Sequence, residues 1–578
     1  MPWTYFDAAI LALAMAALST AAVVLRRGAR DREAIKATDT YDLKDLRHAR
    51  LCKRRGDTPR DTLIVLAHGW RGDNVQWISL LKQIGRDDAF AACDVRFFSY
   101  RGNPWQWAGL WSYGKVLSDV LELDSAAYAH VILVGFSAGG LIVRVAFLEG
   151  LTLGRGLWAQ KVSRIVLLAT PNRGFGGPDA RFSHRIFARV VRLLCRGALR
   201  DMISGSDFVT RLRLEWVAAF SNSSSHRPPV VQLLGVNDEY VREQDSADVT
   251  SFAQAKVSTL DNAKHAQIVQ YSGLGDDKYR RFKASCFAAI GNIPGLPRTA
   301  PRVPSAVLFQ IHGIRDYGGW LEKFADTVRA ERPDVRVVRP DYEYFSALGF
   351  VLPWVRSQRI AWFCDKYTNE VALLAGRDRS SEADAGGNPP ELPFYFVGHS
   401  YGTYLLAESL KRFPQMRFKR VCFVGSVVPQ DYRWDERILL KQVDRVRNDC
   451  QARDWPVAVL CKVLKEVLRF KDIGVSGFHG FSIGVPEVIQ NKWVRGDHSA
   501  GLKNEHHRAS IVRFLLDGDE KKPECIPEPR VLSRVSQWAA PIVLLLLASV
   551  AVGLYLFPVA IPAAAAIAFV VLIGLNYG

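Results

Sequence analysis

The chain has 578 residues, 49% of them hydrophobic, which is enough for two full domains with their own cores and further accessory segments. Its formal net charge of +18 would suit nucleic acid, anionic lipid or a cytoplasmic membrane face. With no zinc knuckle, no RNA-binding sheet motif and no long Lys/Arg block, nucleic acid is not the expected partner, and nine cysteines without C-x-x-C spacing predict reduced thiols.

Taken in order, residues 5–25 read as a transmembrane anchor, because Ala8 to Leu25 is apolar apart from Ser19 and Thr20. Met1 to Phe6 carries no positive charge, whereas Arg26, Arg27, Arg30 and Arg32 follow the run, the reverse of a secretory signal. The positive-inside rule then places the N-terminus outside and everything from Arg26 in the cytoplasm. A cleaved signal with an apolar tail is the competing interpretation.

Residues 26–60 are dense in charge and form a juxtamembrane linker. Residues 61–292 are expected to be one α/β domain. Buried strands are predicted at Thr62 to Ala67, Asp94 to Tyr100, Val131 to Gly135, Ser163 to Ala169 and Val230 to Leu234. Helical stretches lie between them, so the sheet is mostly parallel and helix-covered. Residues 171–229 hold a long insertion, read as a cap. Within it Arg181, Arg185, Arg189, Arg192, Arg196 and Arg200 recur at helical spacing opposite Phe182, Ile186, Val190, Leu193 and Leu194. That stripe is either a solvated face or a contact with anionic lipid.

Residues 293–305, with Pro294, Pro297, Pro301 and Pro304, form an extended linker. Residues 306–518 repeat the plan, with predicted strands at Ala306 to Ile311, Val335 to Val338, Arg420 to Gly425 and from Asp444, and a polar loop over Leu373 to Pro393. A basic linker (519–537) precedes an apolar stretch (538–576) that Pro558 and Pro562 divide into a hairpin entering and leaving the bilayer.

Each domain contains one strand that runs through G-x-S-x-G into a helix: Gly135-Phe136-Ser137-Ala138-Gly139 and Gly398-His399-Ser400-Tyr401-Gly402. A sharp strand-to-helix turn strains the serine backbone, and small neighbours let the chains pass closely. The hydroxyl then stands at the end of the sheet, beside a helix N-terminus that favours developing negative charge.

A serine hydroxyl becomes a useful nucleophile only when a base takes its proton and a third group holds that base in one tautomer. The loops after later strands offer both. In the first domain they are Asp238 and then His265; in the second, Asp454 and then His498. Asp245 competes with Asp238, and Asp449 with Asp454. His506 and His507 compete with His498 but fall in a helical run, while His184 and His226 lie in the insertion. His68 and His312 read as structural, orienting the loops that follow the first strand of each domain. Neither a metal-binding constellation nor a cofactor motif is present in the sequence, and this chemistry needs neither.

The order Ser, acid, His on alternating strands and helices resembles the α/β-hydrolase superfamily, in particular its lipases and esterases, over roughly residues 62–272 and again 306–516. The resemblance implies two tandem hydrolase domains, each with an oxyanion hole of backbone N–H groups. These map to Trp70 with Ala138 and to Ile314 with Tyr401. It also implies a serine hydrolase acting on carboxylic esters. The first domain departs from the family pattern in having Phe136 where the second has His399, and Asn172 in Thr170-Pro171-Asn172-Arg173-Gly174 where many lipases have His.

The expected function is therefore a membrane-anchored esterase or lipase acting on lipid or acyl esters. A thioesterase or protein deacylase would use the same triad, and a membrane scaffold built on hydrolase folds is the non-enzymatic alternative.

Overall fold

The computed structural model describes residues 50–54, 59–100, 102, 107–152, 157–176, 188, 191, 195–219, 226–241, 248, 256–261, 263–289, 304–314, 319–340, 347–375, 392–482, 488–519, 526–527 and 529–556. The expected anchor over residues 5–25, most of the linker after it, Arg181, Arg185, Arg189 and Arg192 of the basic stripe, Asp245, and the distal part of the apolar tail lie outside these. The described residues divide near residue 300 into two compact units, each with its own sheet.

The first sheet has seven strands: β1 (Leu51–Cys52), β2 (Thr62–Ala67), β3 (Cys93–Phe98), β4 (His130–Phe136), β5 (Val162–Leu168), β6 (Val230–Gly235) and β7 (Lys256–Leu260). Their order is β1-β3-β2-β4-β5-β6-β7, and only β1 is antiparallel to its neighbour. Strands β2 to β6 are almost wholly buried because both faces are covered. On one face lie α1 (Ile78–Arg86) and, from the end of the unit, α2 (Asp277–Phe287), packing Leu80, Ile84, Tyr279 and Phe282 on the sheet. On the other lie α3 (Leu110–Asp124), α4 (Ala138–Thr152) and α5 (Asp207–Ala219). Helix α4 is buried nearly all round, which its sequence AGGLIVRVAFLEGLT allows because Arg144 is its only cation.

The second sheet holds β8 (Ala306–Ile311), β9 (Val335–Val338), β10 (Phe394–His399), β11 (Phe418–Val424), β12 (Val443–Gln451) and β13 (Ile489–Val494), all parallel, in the order β13-β12-β11-β10-β8-β9. Read from its other edge, this is the connectivity of β3-β2-β4-β5-β6-β7. The registers repeat as well. Ala67 faces Gly135 in the first sheet, and Ile311 faces Gly398 in the second. Helices α6 (Gly319–Glu331) and α10 (Glu505–Asp517) cover one face through Phe324, Val328, Ile511 and Phe514. Helix α7 (Pro353–Ala375) places Phe363 against Phe309 and Phe396 on the other, the face shared with α8 (Tyr401–Arg412).

In both sheets the chain leaves the second strand of the repeat, forms the strand on one side of it (β3 or β9), and then crosses to the opposite side (β4 or β10). The reversal lies between β2 and β4 and between β8 and β10, where the carboxyl ends of the strands open a crevice. Both serines stand there. The last strands, β7 and β13, were not foreseen. Their sequences, KVSTL and IQNKWV, contain no continuous apolar run because each is an edge strand with a half-exposed face. The C-terminal helix, α11 (Arg530–Leu556), starts within the stretch read as a linker, since Ser536, Ala539 and Ala540 are buried against the second unit.

Candidate active sites

Ser137 and Ser400 both have φ of +51°, a left-handed value that strains any residue with a Cβ. The strain is held in place from several sides. The Ser137 N–H donates to Leu168 O at 2.8 Å and the Ser400 N–H to Val424 O at 3.0 Å, extending the ladder one residue past each strand. The helix that follows presses onto the neighbouring strand. A Cβ on Gly139 would sit 2.1 Å from Ala67 O, and one on Gly402 2.5 Å from Ile311 O. Only glycine lets α4 and α8 start this close to the sheet.

The loop after the adjacent strand then touches the serine. A Cβ on Gly69 would meet Ser137 Cβ at 3.2 Å, and one on Gly313 would meet Ser400 Cβ at 2.8 Å. The residues next along, Trp70 and Ile314, therefore stand beside the same serines as Ala138 and Tyr401, which open α4 and α8. His68 anchors the first of these loops. It is fully buried; its Nδ1 donates to Gly69 O (2.9 Å) and its Nε2 accepts from Tyr100 N (3.2 Å), which holds one neutral tautomer. Burial pushes its pKa below the ordinary imidazole value, against the smaller opposing effects of the Gly69 bond and Asp73. With both ring nitrogens engaged, it is no base. His312 makes the matching Nδ1–Gly313 O bond at 2.9 Å.

The carboxylates paired with histidine come from the next loops. Asp238 lies three residues beyond the end of β6, Asp454 three beyond the end of β12, and each backbone N–H donates to the carbonyl of the strand's last residue, Gly235 or Gln451. Each carboxylate uses Oδ1 to accept the N–H three residues on, from Val241 (2.8 Å) or Val457 (3.0 Å). Each then offers Oδ2 to a histidine: His265 Nδ1 is 2.7 Å from Asp238, and His498 Nδ1 is 2.7 Å from Asp454. Both carboxylates are almost completely enclosed while the imidazoles keep some exposure, at 14% and 22% of their side-chain surface.

The residue before each serine lies against the histidine. Phe136 and His265 have ring centroids 4.9 Å apart, and His399 and His498 4.7 Å. In the second unit the His498 ring also packs on Gly425, the residue following the carbonyl that receives the Ser400 N–H. Each imidazole thus stands beside its elbow, although no hydrogen bond joins serine and histidine in either unit. Such bonds commonly tighten only when substrate arrives.

The competing second-unit residues pair elsewhere. Asp449 lies within β12 and bonds His507 Nε2 at 2.7 Å and Arg447 Nε at 2.8 Å, all in the core under α10. Burial would raise the Asp449 pKa, but the Arg447 charge and the bonds from His507 and Arg447 outweigh it and hold the carboxyl well below the usual range. This triad-like cluster is a buried structural ion pair without access to the serine. His506, its neighbour, starts the same helix. Sequence reasoning weighed these residues as rivals and missed that they belong to each other. The signal was Arg447, two residues from Asp449 on the same face of the strand.

Asn172, where many lipases have His, is buried and joins two elements: Arg144 Nη1 donates to its Oδ1 (3.1 Å), and its Nδ2 donates to Gln232 Oε1 (3.0 Å). It ties α4 to β6. Of the basic stripe, Arg196 stacks on Trp107 with its guanidinium carbon 3.9 Å from the ring centroid. His226 donates to or accepts from nothing near Ser137; its Nε2 lies 2.7 Å from Val162 O.

A parallel sheet whose strand order switches beside a strained serine, followed in chain order by a paired carboxylate and histidine, decides the fold. It is an α/β-hydrolase fold. No family model matches the sequence, and neither does any curated protein. Among solved structures, it is similar to a lipase of Bacillus licheniformis (17% identity over 37% of this chain and 89% of that one, TM-score 0.28). It is also similar to esterase B of Lactobacillus rhamnosis (15%, 48% and 93%, TM-score 0.32) and to an esterase of Pyrobaculum calidifontis (15%, 46% and 92%, TM-score 0.29). At such overlap the assignment rests on the chain's own geometry.

Proposed function

We propose that this chain is a membrane-associated serine hydrolase of carboxylic esters with two catalytic centres, Ser137–His265–Asp238 and Ser400–His498–Asp454. The observation that carries it is the repeated set of bonds: a strained serine at each strand end, and an imidazole held by a buried carboxylate at 2.7 Å beside it. A scaffold has no physical need for two such sets.

In this mechanism the histidine Nε2 takes the serine proton as Oγ attacks the ester carbonyl carbon. The developing oxyanion accepts from the N–H groups of Trp70 and Ala138, or Ile314 and Tyr401; such donors are worth on the order of 10²–10³-fold in rate each. The C–O bond to the leaving alcohol breaks as the imidazolium returns the proton to that oxygen. Water, deprotonated by the same imidazole, then attacks the acyl carbon, and the imidazolium returns that proton to serine Oγ as the acyl C–O bond breaks, releasing the acid and the free serine. The carboxylate holds Nδ1–H and thereby keeps Nε2 as the acceptor. No metal or cofactor takes part in this scheme.

Membrane association is supported by α11, whose Val531–Val550 is long and apolar enough to cross a bilayer, with a mean hydropathy of 1.6. Together with the basic balance of the chain, it favours acyl esters of lipids as substrates. The test is covalent labelling with a fluorophosphonate. Wild type should label, Ser137→Ala and Ser400→Ala should each lose one site, and the double variant should not label. Labelling of the double variant at the wild-type level overturns the proposal.

A further inference from the structure

Helix α11 does not leave the second unit on a tether. Its contacts with the folded body are made by residues within the Val531–Val550 span: Ser536, Ala539 and Ala540 are buried, while Trp538, Ile542, Leu544, Leu545 and Leu546 are exposed. Ser536 Oγ donates to Ala458 O and lies 3.3 Å from His479 Nε2. Arg534, the last cation of the helix, precedes Ser536 by only two positions, about 3 Å along a helix axis. If α11 enters a bilayer, the part of the body that it touches comes to the bilayer with it.

That part is the π-helical turn Pro456–Cys461 and the short helix α9 (Lys462–Glu466), which begin directly after Asp454. Their outer surface suits an interface. Trp455 is 64% exposed, Leu460 51% and Leu468 50%, and Trp538 of α11 is 64% exposed. Aromatic rings and apolar side chains of this kind settle at the acyl–headgroup boundary. Among them are Arg453, Lys462, Lys465, Arg469 and Lys471. The acidic groups beside them are Glu466, paired with Lys462 at 2.7 Å, Asp431, 4.0 Å from Lys465, and Asp472, paired with Arg356 at 3.0 Å. The balance is cationic, which favours anionic lipid.

We propose that the surface formed by Trp455, Leu460 and Leu468 with Lys465 and Arg469 lies against the bilayer, so that the loop holding the Asp454 carboxylate is seated at the lipid surface. The inference rests on the membrane reading of α11. Since Val457 N–H clamps Asp454 and Ala458 O is held by α11, the span and the catalytic acid are joined through consecutive residues.

The test places the photoreactive residue benzoylphenylalanine singly at positions 460, 468, 545 and 439 of the full chain, reconstituted in vesicles of phosphatidylcholine with phosphatidylglycerol. Position 439 is the control: Leu439 is exposed but precedes β12, whose nine residues put it about 30 Å from the strand's other end. Lipid adducts at 460, 468 and 545, at least fivefold above 439, are expected. Lys465→Glu with Arg469→Glu should cut the adducts at 460 and 468 at least threefold and leave 545 unchanged. Adducts at 545 alone overturn this inference and leave the membrane reading standing; adducts at none of the positions overturn both. Crosslinks from 460 and 468 to protein instead of lipid overturn the inference in favour of a second chain on this face.

Discussion

Exchanging Asp454 for Asn separates the two carboxylates of β12 and its loop by function. Asp454 is fully buried, accepts the Val457 N–H, and holds His498 Nδ1 at 2.7 Å. An Asn amide there can donate to Nδ1, which moves the imidazole proton to Nε2 and removes the acceptor that Ser400 needs. Loss of the correct tautomer costs about 10⁴-fold in turnover, or about 5.4 kcal/mol at 1.36 kcal/mol per tenfold. Folding should hardly suffer, because the two side chains have nearly the same shape. Asp449→Asn should do the reverse. It takes one charge from a buried cluster with Arg447 and His507, which costs about 3–5 kcal/mol. At about 2–4 °C per kcal/mol for a domain of this size, the melting midpoint of the second unit should drop by about 6–20 °C.

The assay is the rate of fluorophosphonate labelling at Ser400 in a Ser137→Ala background, with thermal unfolding measured on the same samples. Labelling in Asp454→Asn within threefold of the parent, or its abolition in an Asp449→Asn protein of unchanged stability, would refute the assignment. The acid limb offers a further check. A carboxyl held low in the folded state contributes stability above about pH 4 that is lost as the pH falls further, so Asp449→Asn should flatten that limb.

Gly402→Ala sets a Cβ 2.5 Å from Ile311 O, and calorimetry should show a loss of about 1–3 kcal/mol from forced displacement of α8. His68 titrates with the opposite consequence to a salt-bridged histidine. Its folded pKa is depressed, so the unfolded chain takes up a proton that the folded one refuses, and the first unit should lose stability as pH falls below about 6.5. Melting curves from pH 7.5 to 5 should show that slope in wild type and a smaller one in His68→Gln. Asp248→Asn takes the charge from a pair with Arg213 whose side chains are 3% and 1% exposed, and urea unfolding should report a loss of about 3–5 kcal/mol in the first unit.

Local chemistry made much of this protein legible without coordinates. Short apolar runs rich in branched residues, such as Thr62–Ala67 and Ala306–Ile311, read as buried strands, and a serine among glycines between a strand and a helix reads as a strained turn, because both features follow from a few consecutive residues. What needed the tertiary structure involves residues distant in sequence. The edge strands β7 and β13 are half-polar and gain their identity only by pairing with β6 and β12. Asp449 and Asp454 are five residues apart and chemically alike. Whether each meets His507 in the core or His498 at the crevice depends on one lying in the strand and the other in the loop beyond it. Likewise, composition marks α11 as apolar, but only packing brings Ser536 to the turn behind Asp454, since hydrogen bonding across 78 residues leaves no trace in a local pattern.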